Sequence, residues 1–187
     1  GIDWHDVSAY LQPNLIGKYS FVGDNEIRFN KPGRQFDAVI LMDCSQCPVH
    51  PQLQPVFHET TKRHAETIGK YGARPVLFMS WAYKDKPDMI KELSAEYTKA
   101  GNANDILVIP AGLAFDRVVR QRPEVELYTK DKRHPSLAGT YLAAATTYAA
   151  LRGKSPVPAT YTADLDPQLA RYLREVAWET VQAYYGK

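Results

Sequence analysis

Several things are missing from this sequence, and each absence narrows the reading. No apolar run reaches the roughly 18–20 residues of a membrane-spanning helix. Charge of either sign is not in excess. The 23 Lys and Arg against 21 Asp and Glu leave a formal charge of +2, with no electrostatic reason to expect nucleic acid or an anionic membrane as partner. The opening GIDWHDVSAYL lacks the basic start and apolar stretch of a secretory leader. A mature chain reads the same way, so the compartment stays open. Cysteine is scarce: Cys44 and Cys47 could pair or stay reduced and do not decide it. No internal repeat and no low-complexity tract occurs. The 187 residues, 44% hydrophobic and 24% charged, suffice for one domain with a core and are too few for two ordinary ones. One domain over 1–187 is expected.

What is present has the order of an α/β protein. Residues 36–42 (FDAVILM), 75–80 (PVLFMS) and 106–110 (ILVIP) are short apolar runs without alternation, as in parallel strands covered on both faces. Helical spacing fills the gaps. Residues 54–71 place Val56, Phe57, His64, Ile68 and Tyr71 on a pattern of mixed three- and four-residue spacing (gaps of 1, 7, 4 and 3) before Gly72, and 87–100 is a helix predicted to stop at Gly101. The segment 111–127 is expected to be partly helical. Helices are predicted over about 136–152, ending at Gly153, and about 166–185, with a proline-containing link between. Residues 3–17 fit a helix, and 19–29 fit a hairpin turning at Gly23–Asp24–Asn25 that should sit outside the main sheet.

The segment 128–144, YTKDKRHPSLAGTYLAA, concentrates the chemistry. A histidine serves as general base only when its tautomer and orientation are fixed, commonly by a carboxylate on the other ring nitrogen. Asp131 and His134 are close enough for one tight loop to present both. Pro135 keeps His134 out of the helical conformation, and Ser136 falls where an N-cap belongs. Taken alone, a D-x-x-H pair is also what a charged loop beside a helix start looks like.

The full run Y-x-x-D-x-x-H-P-S-x-x-G-T-Y-L-A-A resembles the last conserved block of the SGNH (GDSL-like) hydrolases. FDAVILMDCS at 36–45, RPVLFMSWAY at 74–83 and VIPAGLAF at 108–115 resemble that family's third, fourth and fifth strands in a bacterial branch. GIDWH at 1–5 is similar to its glycine–histidine segment. The resemblance implies a three-layer α/β/α fold with a parallel flavodoxin-like (SGNH) sheet. It implies a serine esterase in which Asp131 and His134 complete a triad, acting without a cofactor on a small acyl ester such as an acetylated carbohydrate. It also implies a periplasmic or secreted location.

One element of the family is absent: no Gly-Asp-Ser or Gly-Asn-Ser occurs in the sequence. Aligned on its later blocks, the chain begins near the end of the family's second strand. The expectation is therefore that the N-terminal strand or strands are missing from these 187 residues, with the nucleophile upstream of Gly1 and a second segment or chain completing the sheet. Ser45, after the first visible strand, is the substitute nucleophile within the chain. Where the family branch has glutamine this chain has Met42, so Gly1, Ser45, Gln46, Ser80 and Trp81 are the remaining oxyanion or pocket candidates.

Two other readings stay open: a catalytically degenerate module binding a glycan or partner protein, and a redox or metal protein built on Cys44-Ser45-Gln46-Cys47. The ordered zinc-ligand spacing is absent, and no metal site is expected. GNAND at 101–105 precedes a strand, at the edge opposite that where parallel sheets bind ligands, and reads as a helix stop and turn. The histidines of the first helix, His58 and His64, are expected at the surface or boundary, and His5 as a capping or packing residue beside Trp4.

Overall fold

The structure is a computed structural model that describes residues 6–11, 19–29 and 36–186. A short helix α1 (Val7–Leu11) and a two-stranded antiparallel hairpin, β1 (Tyr19–Gly23) with β2 (Glu26–Phe29), precede the main body. The hairpin forms its own sheet, as expected. Gly1 and His5, and most of the helix predicted over 3–17, lie outside the described residues.

The three apolar runs become β3 (Ala38–Leu41), β4 (Arg74–Phe78) and β5 (Leu107–Ile109), a parallel sheet in the order β3-β4-β5. Between them run α2 (Gln54–Lys70) and α3 (Met89–Asn104). After the sheet come α4 (Ala111–Gln121), α5 (Leu137–Arg152) and α6 (Pro167–Tyr184).

Successive residues of β4 show why these runs lack alternation. Leu77 packs with Phe57, Ile68 and Leu93 of α2 and α3, while Val76 packs with Ala149 and Val181 of α5 and α6 on the opposite face. Both are essentially inaccessible, so each position favours an apolar side chain. The result is a mixed α/β architecture of three layers.

β3 differs. Its only strand partner among the described residues is β4, and Ile40 on it is 45% exposed. The run 36–42 was expected to be covered on both faces. Instead Phe36, Ile40 and Met42 are exposed along an apolar groove of about 420 Å³ closed on its other side by Val7, Tyr10 and Leu11.

Two further expectations are corrected. α3 does not stop at Gly101 but continues to Asn104, ending in Asp105 at a left-handed φ of 53°. Gly101 is small because a Cβ there would sit 2.5 Å from Val108 Cγ2, so close helix–strand packing explains it, not termination. GNAND is thus mostly the last turn of α3, at the amino-terminal edge of β5. His64 is not a surface residue but 3% exposed, on the face of α2 that packs with the sheet.

Candidate functional site

Both Asp131 and His134 lie in the loop between α4 and α5, which the backbone closes tightly. Thr129 N–H donates to the His134 carbonyl (2.9 Å) and Ser136 N–H to the Leu127 carbonyl (2.9 Å). Lys132 turns the chain with a left-handed φ of 64°, at a cost of about 1 kcal/mol. Pro135 then leads to Ser136, whose extended backbone and Oγ cap α5 by accepting from Gly139 N–H at 3.2 Å. Such a cap contributes roughly 1 kcal/mol.

The Asp131 carboxylate divides its work between its two oxygens. Oδ1 accepts from the Thr129 hydroxyl (2.7 Å), Arg133 N–H (2.8 Å) and His134 N–H (3.0 Å), which shapes the loop. Oδ2 meets His134 Nδ1 at 2.5 Å. The imidazole first, then the two backbone N–H groups and the Thr129 hydroxyl, hold this carboxyl well below the usual carboxylate range. An ionised carboxylate only accepts, so the shared proton sits on Nδ1 and leaves Nε2 of the neutral ring as a base. Nε2 makes no hydrogen bond among the described residues, and the His134 side chain is 80% exposed. An ion pair this open adds little to stability. Its effect is to fix tautomer and direction.

The loop is anchored to the segment after β4. Trp81 Nε1–H donates to the Arg133 carbonyl at 2.9 Å, and its ring stacks on Phe115 at 4.4 Å. The Tyr128 hydroxyl, pushed up to about 12 by burial, donates to the Ala82 carbonyl at 2.8 Å. The Arg133 guanidinium pairs with Asp85 and lies 3.9 Å from the Tyr83 ring centre. Gly139 lets α5 approach closely, since a Cβ there would lie 2.3 Å from the Leu127 carbonyl oxygen.

Tyr83 connects this loop to the other end of the site. Its hydroxyl meets Ser45 Oγ at 2.7 Å and accepts from Gln46 Nε2 at 2.9 Å. Ser45 and Gln46 belong to the turn after β3, which a Cys44–Cys47 disulfide closes and a 3-10 turn at Cys47–Val49 continues. Asp43, Cys44 and Cys47 cluster there, but sulfurs joined to each other are not thiolate ligands.

Of the residues singled out by sequence, Asp131 and His134 are brought together directly. Ser45 and Gln46 stand at the same carboxyl-terminal edge of the sheet but are engaged with Tyr83; no hydrogen bond joins Ser45 to His134. Ser80 is 4% exposed and lies beneath the surface, and Trp81 is half-buried as a brace. Gly1 lies outside the described residues. Sequence reasoning missed Tyr83, Asp85, Arg133 and Gly139. The H-P-S-x-x-G spacing was the one local signal for Gly139.

Comparison with known proteins supports the fold. A crystal structure of a DUF4886 family protein from Bacteroides uniformis superposes with a TM-score of 0.65 at 17% identity, covering 88% of this chain and 72% of that one. A Slackia heliotrinireducens protein inferred to be an SGNH hydrolase superposes with a TM-score of 0.55 at 22% identity, covering 62% of this chain and 65% of that one. The three-stranded parallel sheet and its helices are thus similar to an SGNH-like fold. No family model matches the sequence, and no curated protein matches it.

Proposed function

We propose that this protein is an SGNH-type serine esterase that removes a small acyl group, acetyl-like, from an ester such as an acylated carbohydrate. The observation that carries this reading is Asp131 holding His134 through Nδ1 at 2.5 Å with Nε2 free at the carboxyl-terminal edge of the sheet. The distant structural likeness to an inferred SGNH hydrolase supports a hydrolase at the coarser level.

In this mechanism His134 Nε2 accepts the proton of a serine hydroxyl as the serine oxygen attacks the acyl carbonyl. The proton then passes to the leaving alcohol, and water attacks the acyl-enzyme with His134 again as base. Asp131 keeps the ring oriented and stabilises its protonated form. Backbone N–H groups of the turn after β3, or Gln46, would face the oxyanion.

The nucleophile is assigned to a further segment or chain that adds a strand beside β3. Exposed Ile40 and Met42, the groove along that edge and the engagement of Ser45 with Tyr83 support this placement. Labelling the intact protein with a fluorophosphonate and mapping the adduct tests it. A labelled serine outside residues 1–187, with esterase activity retained in Ser45→Ala, is the expected result. Labelling at Ser45 would move the nucleophile to the disulfide turn. No labelling and no hydrolysis of p-nitrophenyl acetate would leave the glycan- or partner-binding module as the better reading.

A further inference from the structure

At the outer side of α5 and α6, away from the loop just described, a pocket of about 490 Å³ lies within the size range of small-ligand sites. Its floor contains Arg174, only 7% exposed. Nη1 donates to the Tyr141 hydroxyl at 2.6 Å and to the Tyr161 carbonyl at 3.3 Å, while the buried Nε–H has no hydrogen-bond partner. No carboxylate among the described residues pairs with this guanidinium. A buried cation without a counter-charge is costly and is seldom retained without a partner.

The walls suggest what that partner is. Two cations, Arg174 and Lys154, line the pocket, and no acidic residue does. At its mouth stand Tyr148 and Tyr161, 45% and 75% exposed, rings that present a flat apolar face beside a polar tip. The Tyr141 hydroxyl is already occupied, donating to the Tyr161 carbonyl at 2.6 Å while accepting from Arg174. That bond and the two from Nη1 fix the loop against the helix and leave Nη2 of the guanidinium, which has no hydrogen bond among the described residues, as the recognition group. A planar guanidinium fits a carboxylate better than a point charge does. A saccharide ring, whose C–H face packs on exposed aromatic rings while its hydroxyls meet their polar tips, would satisfy the mouth, and a carboxylate on that ring would satisfy the floor.

We infer that this pocket binds an acidic sugar, a uronate residue of a saccharide, with its carboxylate on Arg174 and its ring against Tyr148 and Tyr161. The inference does not depend on His134. The pocket's α5 residues, Tyr141 to Tyr148, lie about 6–17 Å along the helix from its first residue.

Calorimetric titration of the intact protein with trigalacturonate, and with the same trimer fully methyl-esterified, tests it. The acid form is expected to bind at least tenfold more tightly than the ester. Tyr161→Ala and Tyr148→Ala should each weaken acid binding several-fold with little change in melting temperature. Arg174→Gln should abolish the acid-over-ester preference. Arg174 is buried, so if its variant fails to fold the two exposed tyrosines carry the test alone. Equal binding of acid and ester, no binding of the acid trimer at 10 mM, or tighter binding of benzoate or a peptide carboxylate would each overturn the acidic-sugar assignment. Fluorophosphonate labelling is unaffected by any of these results, so the two proposals fail separately.

Discussion

Among the described residues, His134 with Asp131 and His58 with Glu96 form histidine–carboxylate pairs of the same separation in opposite surroundings. His134 Nδ1 lies 2.5 Å from Asp131, and His58 Nε2 lies 2.5 Å from Glu96. The second pair bridges α2 and α3, with side chains only 24% and 16% exposed, and Phe57 packs edge-on against the His58 ring. Lys99 stands 3.9 Å from the same carboxylate. It joins two helices on one face of the sheet. The first pair faces solvent at the end of the strands, and its carboxylate is oriented by three further donors. Distance alone therefore does not identify a catalytic dyad; the position on the sheet, the solvent exposure of the imidazole (80% against 24%) and the prior orientation of the carboxylate do.

Mutating one histidine and then the other breaks the comparison most directly. His134→Ala is expected to lower esterase kcat on the order of 10³-fold or more with little change in melting temperature. His58→Ala should leave kcat within twofold and cost roughly 1–2 kcal/mol, read from urea unfolding, because a half-buried Glu96 loses its partner. Equal activity losses in both variants would remove the distinction between the pairs.

Asp131→Asn comes next. With the amide oxygen kept on the Arg133 and His134 N–H groups, it puts an NH2 where Oδ2 accepted from His134 Nδ1 and so removes the acceptor that sets the tautomer. A fall in kcat on the order of 10²–10³-fold is expected, with KM changed far less. Gly139→Ala acts on the support of the same loop. Its Cβ would meet the Leu127 carbonyl, so a loss of about 1–3 kcal/mol by thermal unfolding is expected, along with reduced activity.

The smallest effect is in pH. Because the folded-state pKa of Asp131 is depressed below its ordinary 3.8, the stabilisation held by its ionised carboxylate is complete above about 4 and is lost as pH falls through the depressed value. Asp131 therefore does not titrate between pH 7 and 5, and an activity loss in that window belongs to another group. A carbon-13 titration of the Asp131 carboxyl should show its inflection below 3.8, moving upward in His134→Ala because the imidazole is the main cause of the depression.

Much of the fold was legible because its signals are local. The runs at 36–42, 75–80 and 106–110 and the glycines at 72 and 153 state their backbone preferences within a few residues, and the structure places strands and helix ends there. Gly101 was misread because a glycine near the end of a helical pattern can stop the helix or admit a neighbour. Only the packing of Val108 distinguishes the two. His64 was misread for a similar reason, since polarity says nothing about which helix face meets the sheet. The tie from Ser45 and Gln46 through Tyr83 to Arg133 spans nearly ninety residues of sequence and has no local signature.

By itself the sequence determined the strand and helix order and put Asp131, His134, Pro135 and Ser136 in a spacing that permits a dyad on a capped helix. Local sterics and hydrogen bonding are enough for that. Only the tertiary structure decided that, among the described residues, β3 lies at the edge of its sheet, that Ser45 is engaged by Tyr83 and that Arg174 is buried with no counter-ion among those residues. Those outcomes depend on which distant elements pack together, and burial rather than residue type sets the cost of an unpaired polar group.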